Sequence, residues 1–325
     1  MSAENAIIHF ESAQSQRPFE ALTDTGDHQT FESAAAPWSG APGFEPEVRP
    51  DGVATGGVIT PNGSTNNSVN VSAMTAYVGG VLRTVTGAAQ AIPRGTSGAP
   101  RKVSSITVTG AGALAVVAGT PGAAFTETRG AAGGPPLIPV GSIEVGQVRF
   151  DDDDDAPVAA AEIMQVIGLH QERTDYPVWE ESFGTGTVTF AEPLEPIHVG
   201  GLPKGVHARY ATPIFAAIPR ASDWTPAETT HSLSSTPIYG GAIGSSSASI
   251  NQASFTAHLD DGIRDSFLSK KNQRLWFRFR PDRNRTVPHQ LTQGVMGISR
   301  SFPADGGITA SVTVTPQEPT IDVTE

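Results

Sequence analysis

The chain reads as a mostly-β protein, and three observations predict it. Leu275, Phe277 and Phe279 alternate strictly with Arg274, Trp276, Arg278 and Arg280, the period of a half-buried strand. Ile308, Ala310, Val312 and Val314 alternate in the same way with Thr309, Ser311, Thr313 and Thr315. The 35 glycines and 26 prolines punctuate many short apolar runs, while periodic segments of helical length are scarce.

Residues 1–50 show little alternation and are rich in Glu, Ser, Ala and Pro; Ile7, Ile8 and Phe10 form the one apolar cluster near their start. They read as an extended N-terminal arm. It is either a disordered leader or a segment that orders against a neighbouring subunit with Trp38 or Phe44 as anchor. Residues 51–160 read as an accessory β-rich domain. Strands are expected at 57–60, 69–78, 81–85, 103–108, 114–117 and 143–150, with Asn62-Gly63 and Gly79-Gly80 as turns. The five consecutive aspartates from Asp151 to Asp155 read as a solvated loop, since their spacing is not that of a calcium loop.

Residues 161–325 read as a β-sandwich flanked by a short helix. Ile163, Met164, Val166, Ile167 and Leu169 suggest a buried strand over 162–171 that bridges the two halves. A strand at 183–190 is expected to bend at Gly184 and Gly186. The apolar run 207–218 contains Pro213, which suits an edge strand. Asp223-Trp224-Thr225-Pro226 reads as a turn, and the Gly/Ser-rich run 240–249 as a surface loop. The stretch 254–315 then reads strand, short helix, strand, strand. Phe255, Ala257 and Leu259 share one face, with His258 on the other. Asp260 or Asp261 caps a helix whose stripe is Ile263, Phe267 and Leu268, with Lys270 and Lys271 at its negative end. The strands at 274–280 and 308–315 are expected to leave sheet edges in need of protection.

Without cysteine, the chain has no disulfide framework, thiolate metal site or cysteine nucleophile. Residues 1–10 lack a basic region and a long apolar core, so no secretory leader is expected, and no apolar run reaches membrane-spanning length. None of the eight histidines lies four residues from another, and no phosphate loop, dinucleotide fingerprint or nucleophile elbow is present; Gly201-Leu-Pro-Lys204-Gly fails as a phosphate loop for want of Ser or Thr. Glu180 and Glu181, adjacent on a strand, point to opposite faces and cannot flank one bond. No catalytic, cofactor or metal residues are therefore assigned, and the protein is not expected to be an enzyme.

The formal charge is −12, and up to Gln165 there are 17 acidic against 8 basic side chains. Such a chain is a poor general nucleic-acid binder. Its basic residues concentrate in one belt: Arg264, Lys270, Lys271, Arg274, Arg278, Arg280, Arg283 and Arg285. Alternating with Trp and Phe, the belt is open to three readings: a solvated strand face, a nucleic-acid platform, or a partner for acidic side chains of a neighbouring copy. The third is preferred, with Arg274, Arg278, Arg280, Arg283 and Arg285 as inter-subunit contacts.

The succession of strand, helix, arginine-bearing strand and closing strands resembles the end of the tail tube (major tail) proteins of long-tailed, siphovirus-type bacteriophages. The likeness is one of pattern, covers 177–316 and includes no catalytic signature. Residues 51–155 also resemble small β-modules of phage tail and fibre proteins, in which a Gly-Gly turn follows an alternating strand bearing a Tyr, here Tyr77. The resemblance implies a tail-tube-like β-sandwich in a structural virion protein. Its copies would close into hexameric rings and stack into a viral tail tube through which genomic DNA is ejected without specific binding. It implies further copies, the tape measure, the tail terminator and the baseplate as partners, no cofactor and no membrane. It also implies assembly in the host bacterial cytoplasm and residence in the virion tail. The alternative is a baseplate or fibre protein that binds a host receptor or glycan through loops around Trp38, Trp179 or Trp224.

Overall fold

Strands take up half of the residues, and no helix reaches seven residues, so the fold is mostly β. The computed structural model describes residues 5–239 and 241–324.

Three apolar cores form, and the chain enters and leaves them in nested order. An inner body spans strands Gly52–Gly56 to Ile163–Met164 and buries Val53, Val69, Val78, Ile106, Val108, Ile143, Val148 and Phe150. A middle body takes one part from residues before this insertion and one from after it. Thr30–Glu32 pairs with Thr187–Phe190, and Glu47–Pro50 with Val206–Arg209, around Phe31, Trp38, Phe190 and Tyr210. The outer body repeats the scheme with Ile7–Gln16 and the strands from Ala211–Ile218 onward.

The outer body is one rolled antiparallel sheet. Its order is Ala211–Ile218, Ile7–Gln16, Arg274–Arg280, His289–Ser301, Thr309–Pro316, Ala253–His258 and Ala221–Thr225, with Ile321–Val323 also paired to His289–Ser301. The two end strands are consecutive in the chain, joined only through Pro219 and Arg220, so the sheet must curl to bring its ends together. Inside lie Phe255, Ala257, Leu259, Leu275, Phe277, Ala310, Val312 and Val314, in the alternation read from the sequence, together with Ile8, Phe10 and Met296. A fully buried Phe such as Phe277 is worth about 3–5 kcal/mol against Ala.

Several expectations are corrected. Residues 1–50 are not an arm: Ile7–Gln16 lies between two strands of the rolled sheet, because Ile8 and Phe10 alternate into its core. The first four residues lie outside those described. Trp38 is buried within its own chain, stacked on Tyr210 at 5.1 Å between ring centroids. Neither Arg274–Arg280 nor Thr309–Pro316 is an edge; each is paired on both sides. The edges are Ala211–Ile218, protected by Pro213, and the short bulged Ala221–Thr225, where Asp223 adopts φ 59° and the expected turn is absent. Between Trp179–Ser182 and Thr187–Phe190, Gly184 and Gly186 lie in a hairpin connection instead of within a bent strand. Of the run 162–171 only Ile163–Met164 is a strand, while Val166, Ile167 and Leu169 are exposed. The flanking helix is a single 3-10 turn, Ser266–Lys270. It buries Phe267 and leaves Ile263 exposed, because a turn this short has no continuous stripe.

The Gly/Ser run is a strand, not a loop. Gly241–Ile250 pairs along its whole length with Thr229–Ile238; Gly240 itself lies outside the described residues. The register sets Ser232 opposite Ser247 and Ser234 opposite Ser245, each pair of hydroxyls 2.7 Å apart, and Thr230 opposite Ser249 at 3.1 Å. Small hydroxylated residues that favour a flexible chain in isolation become a cross-strand ladder once paired. Among the described side chains, this hairpin is exposed throughout.

Candidate functional site

The basic belt does not stay together. Arg274 turns its stem toward Gly40 of the middle body, so closely that a Cβ at position 40 would lie 2.8 Å from its Cδ. Trp276, expected on an open face, is 2% exposed and donates its indole N–H to the Trp38 carbonyl at 2.6 Å, because the middle body covers this end of the strand. Arg283 and Arg285 lie in the exposed loop beyond the strand. The Arg283 amide donates to the Asn5 carbonyl at 2.8 Å, and Arg285 is 3.8 Å from Asp282.

Arg278 and Arg280 remain as a pair at the uncovered end of the strand, both half-buried. The Arg278 guanidinium lies 4.3 Å from the centre of the Phe215 ring, contributed by the neighbouring end strand. His9 sits directly across from Arg278 in the strand register. His289 opens the next strand on the other side. Burial, reinforced by Arg278 and Arg280, lowers the His9 pKa to about 4, and burial lowers that of His289 as well. The Nε atoms of both arginines and Nδ1 of His9 are buried without a hydrogen-bond partner. The result is a shallow recess with two fixed positive charges flanked by two neutral imidazoles. Sequence reasoning found the arginines but gave no role to His9, Phe215 or His289, which only the strand order brings alongside them.

A second charged cluster, absent from the sequence reading, lies at the seam between the inner and middle bodies. The chain crosses there twice, and the crossings pair: the Val53 amide donates to the Glu172 carbonyl at 2.8 Å. The Asp51 carboxylate accepts from the amides of Gly79 at 3.0 Å and Gly80 at 3.1 Å. Gly80 has φ 71°, and a Cβ there would come within 2.8 Å of the His207 ring, so the turn requires glycine. Lys204 donates from Nζ to the carbonyls of Arg173 at 2.5 Å and Tyr176 at 2.6 Å. Glu172 accepts from the Glu144 amide at 2.6 Å, and the Glu144 carboxylate is itself held by Arg129, Ser105 and Gln147. Burial pushes the Glu172 carboxyl up and the Lys204 ammonium down from their ordinary ranges. A cleft of about 100 Å³ beside them is lined by Glu172, Tyr176, Glu192 and Lys204. Lys204 thus ties the second crossing to the middle body, and its neighbour Gly205, whose carbonyl accepts from the Asp51 amide at 2.8 Å, ties the first.

The aromatic residues named for a glycan-binding alternative face inward. Trp38 is buried; Trp179 is half-buried beside Phe190; Trp224 stacks on Phe279 at 5.8 Å and donates to Gln290. Asp151 to Asp155 form a largely exposed loop, and among the described residues no group of three or more His, Cys, Asp or Glu side chains is arranged to hold a metal ion. Among the described residues, no helix is long and apolar enough to cross a membrane.

No protein-family model and no curated protein matches the chain.

Proposed function

We propose that this chain is a structural subunit that associates with copies of itself into stacked rings, as the tail tube of a long-tailed bacteriophage does, forming a conduit for DNA in the virion tail. The observation that carries the reading is the hairpin Thr229–Ile238 and Gly241–Ile250. Residues 229–250 contain no Asp, Glu, Lys or Arg, in a chain of charge −12. Leu233 is 86% exposed, and Tyr239 and Ile243 near the tip are exposed too. An uncharged, two-stranded ribbon with apolar side chains in water needs a partner surface, and its two outer strand edges suit a neighbouring chain. The pattern likeness over 177–316 supplies the class of assembly. Arg278 and Arg280 contribute a second contact, with acidic groups of a neighbour.

The test is to replace residues 229–250 by a short turn and compare the two proteins by sedimentation and negative-stain microscopy. The intact chain is expected to form rings or tubes at high concentration, and the shortened chain to fold but stay monomeric. Intact protein that remains monomeric at all salt concentrations, with no rings in the images, rejects the reading.

A further inference from the structure

We propose that the recess formed by His9, Phe215, Arg278, Arg280 and His289 receives the aspartate run at 151–155 of a second copy of this chain. The proposal rests on the self-assembly reading above and specifies one of its contacts.

The recess is prepared for carboxylates and lacks them. Among the described residues, no carboxylate lies within 4.0 Å of Arg278 or Arg280, and the inward Nε atoms of both are without partners. The Phe215 ring, 4.3 Å from the Arg278 guanidinium carbon, covers one side of that group, and a carboxylate is the partner that a guanidinium binds bidentately. The aspartate run is prepared in the complementary way. Asp152 pairs with Arg94 at 2.5 Å, Asp155 accepts from the Asn67 amide at 2.7 Å, and Arg101 holds the Asp151 carbonyl. These contacts fix the backbone of the run, while the side chains of Asp153 and Asp154 are exposed and make no ion pair within the chain.

Position explains why the two do not meet inside one molecule. Trp276 touches the middle body, and Arg278 and Arg280 lie farther along the same strand, away from it. Glu144, near the start of Ile143–Phe150, is at the seam. The aspartates follow the far end of that strand, about 20 Å on at ~3.3 Å per residue. Each charge therefore sits at the end of its body that points away from the middle one. Copies joined head to tail bring one to the other, and such a heterologous contact repeats. DNA is a poorer fit: two guanidiniums displace about two counterions, too few to hold a polyanion against a chain of charge −12.

Three variants test this: R278E/R280E, D153K/D154K, and R278Q/R280Q, which removes the charge but keeps a polar, hydrogen-bonding side chain. Each is expected to self-associate about thirtyfold more weakly than the parent chain, or worse, by sedimentation. An equimolar mixture of the two charge-reversed variants is expected to regain association, since the reversed run fits the reversed recess. Independently of assembly, a peptide spanning positions 150–158 added to dilute parent chain is expected to shift the ring signals of His9 and His289 in NMR, and not those of His231 on the hairpin. If D153K/D154K assembles like the parent and the peptide moves neither signal, the contact is wrong while self-assembly stands. If the parent stays monomeric yet the peptide shifts His9 and His289, the recess stands and the assembly reading falls. A monomeric parent with a silent peptide rejects both. An oligonucleotide that displaces the peptide from the recess overturns the proposal in favour of phosphate.

Discussion

At the seam, the Lys204 ammonium donates to two backbone carbonyls and feels the negative charge of Glu172 and Asp51. On the rolled sheet, Arg278 and Arg280 lie side by side with no carboxylate in reach and a lowered imidazole on either flank. Both places hold charge away from water. At the first, backbone carbonyls and amides take up most of the charged groups, and the cluster acts as a joint between bodies. At the second, the one buried carboxylate on the passing strand, Glu11, is taken by Ser39, Gln14 and the Trp276 amide, and the arginine pair awaits something from outside. Charge compensated within the chain marks construction, and charge left uncompensated marks contact.

The largest effect that would break this contrast is at Lys204. Replacing it with Met strands Glu172 and Asp51 in the seam, and is expected to lower stability by about 3–5 kcal/mol in urea unfolding. A loss below about 1 kcal/mol would mean that the seam is wetter than its burial implies.

His9 gives the next effect, through pH. Its folded pKa, about 4, lies below the ordinary imidazole value of 6.5, so the unfolded chain binds the extra proton first as pH falls. The fold therefore carries no penalty from His9 above about pH 6.5; the penalty grows through the interval and is complete below about pH 4. His9→Gln is expected to be more stable than the parent by about 1 kcal/mol at pH 4–5, after discounting for solvent screening, and equal to it at pH 7.5. Thermal melts at the two pH values decide it; an equal difference at both would show that packing, not charge, sets the effect.

Smaller still, Arg280→Met is expected to leave the dilute monomer unchanged or raise its stability by about 0.5 kcal/mol, because it relieves repulsion from Arg278 without removing an ion pair. A loss above about 1 kcal/mol would place an unrecognised partner at Arg280. The smallest effect belongs to the hairpin ladder, where Ser247→Ala removes one exposed hydroxyl pair at an expected cost of a few tenths of a kcal/mol.

Alternation made the rolled sheet legible: Phe255, Leu275, Phe277, Val312 and Val314 are where their period places them. The first strand was not, because Ile7, Ile8 and Phe10 offer too short a cluster to distinguish a central strand from a tail, and its partners come from the distant strands Ala211–Ile218 and Arg274–Arg280. The hairpin was hidden by composition, since the pairing of Ser232 with Ser247 is a property of register and not of either residue alone. Arg278 and Arg280 could be read as one face of one strand. Their neighbours His9, Phe215 and His289 come from three other strands, and only sheet order unites them. The role of Lys204 was invisible for a related reason: its two hydrogen bonds go to the backbone carbonyls of Arg173 and Tyr176, about thirty residues earlier, and no local pattern announces that this segment and Asp51 are buried beside it.

The nesting of the three bodies also bears on how the chain is made. The Trp276 amide donates to a carboxylate oxygen of Glu11, 265 residues earlier, so the rolled sheet cannot close until the strand Arg274–Arg280 has left the ribosome. The inner body is built from one uninterrupted segment and can mature while synthesis continues. The middle body can follow once residues 179–210 emerge. Until then the strand Ile7–Gln16, with Ile8 and Phe10 uncovered, must wait as a sticky leader on every growing chain. Closure of the outer body from the inside outward delays the recess, which needs His9 and Arg278 together, until after the inner and middle bodies have formed. A chain that folds in this order cannot present that surface before His9 and Arg278 have met.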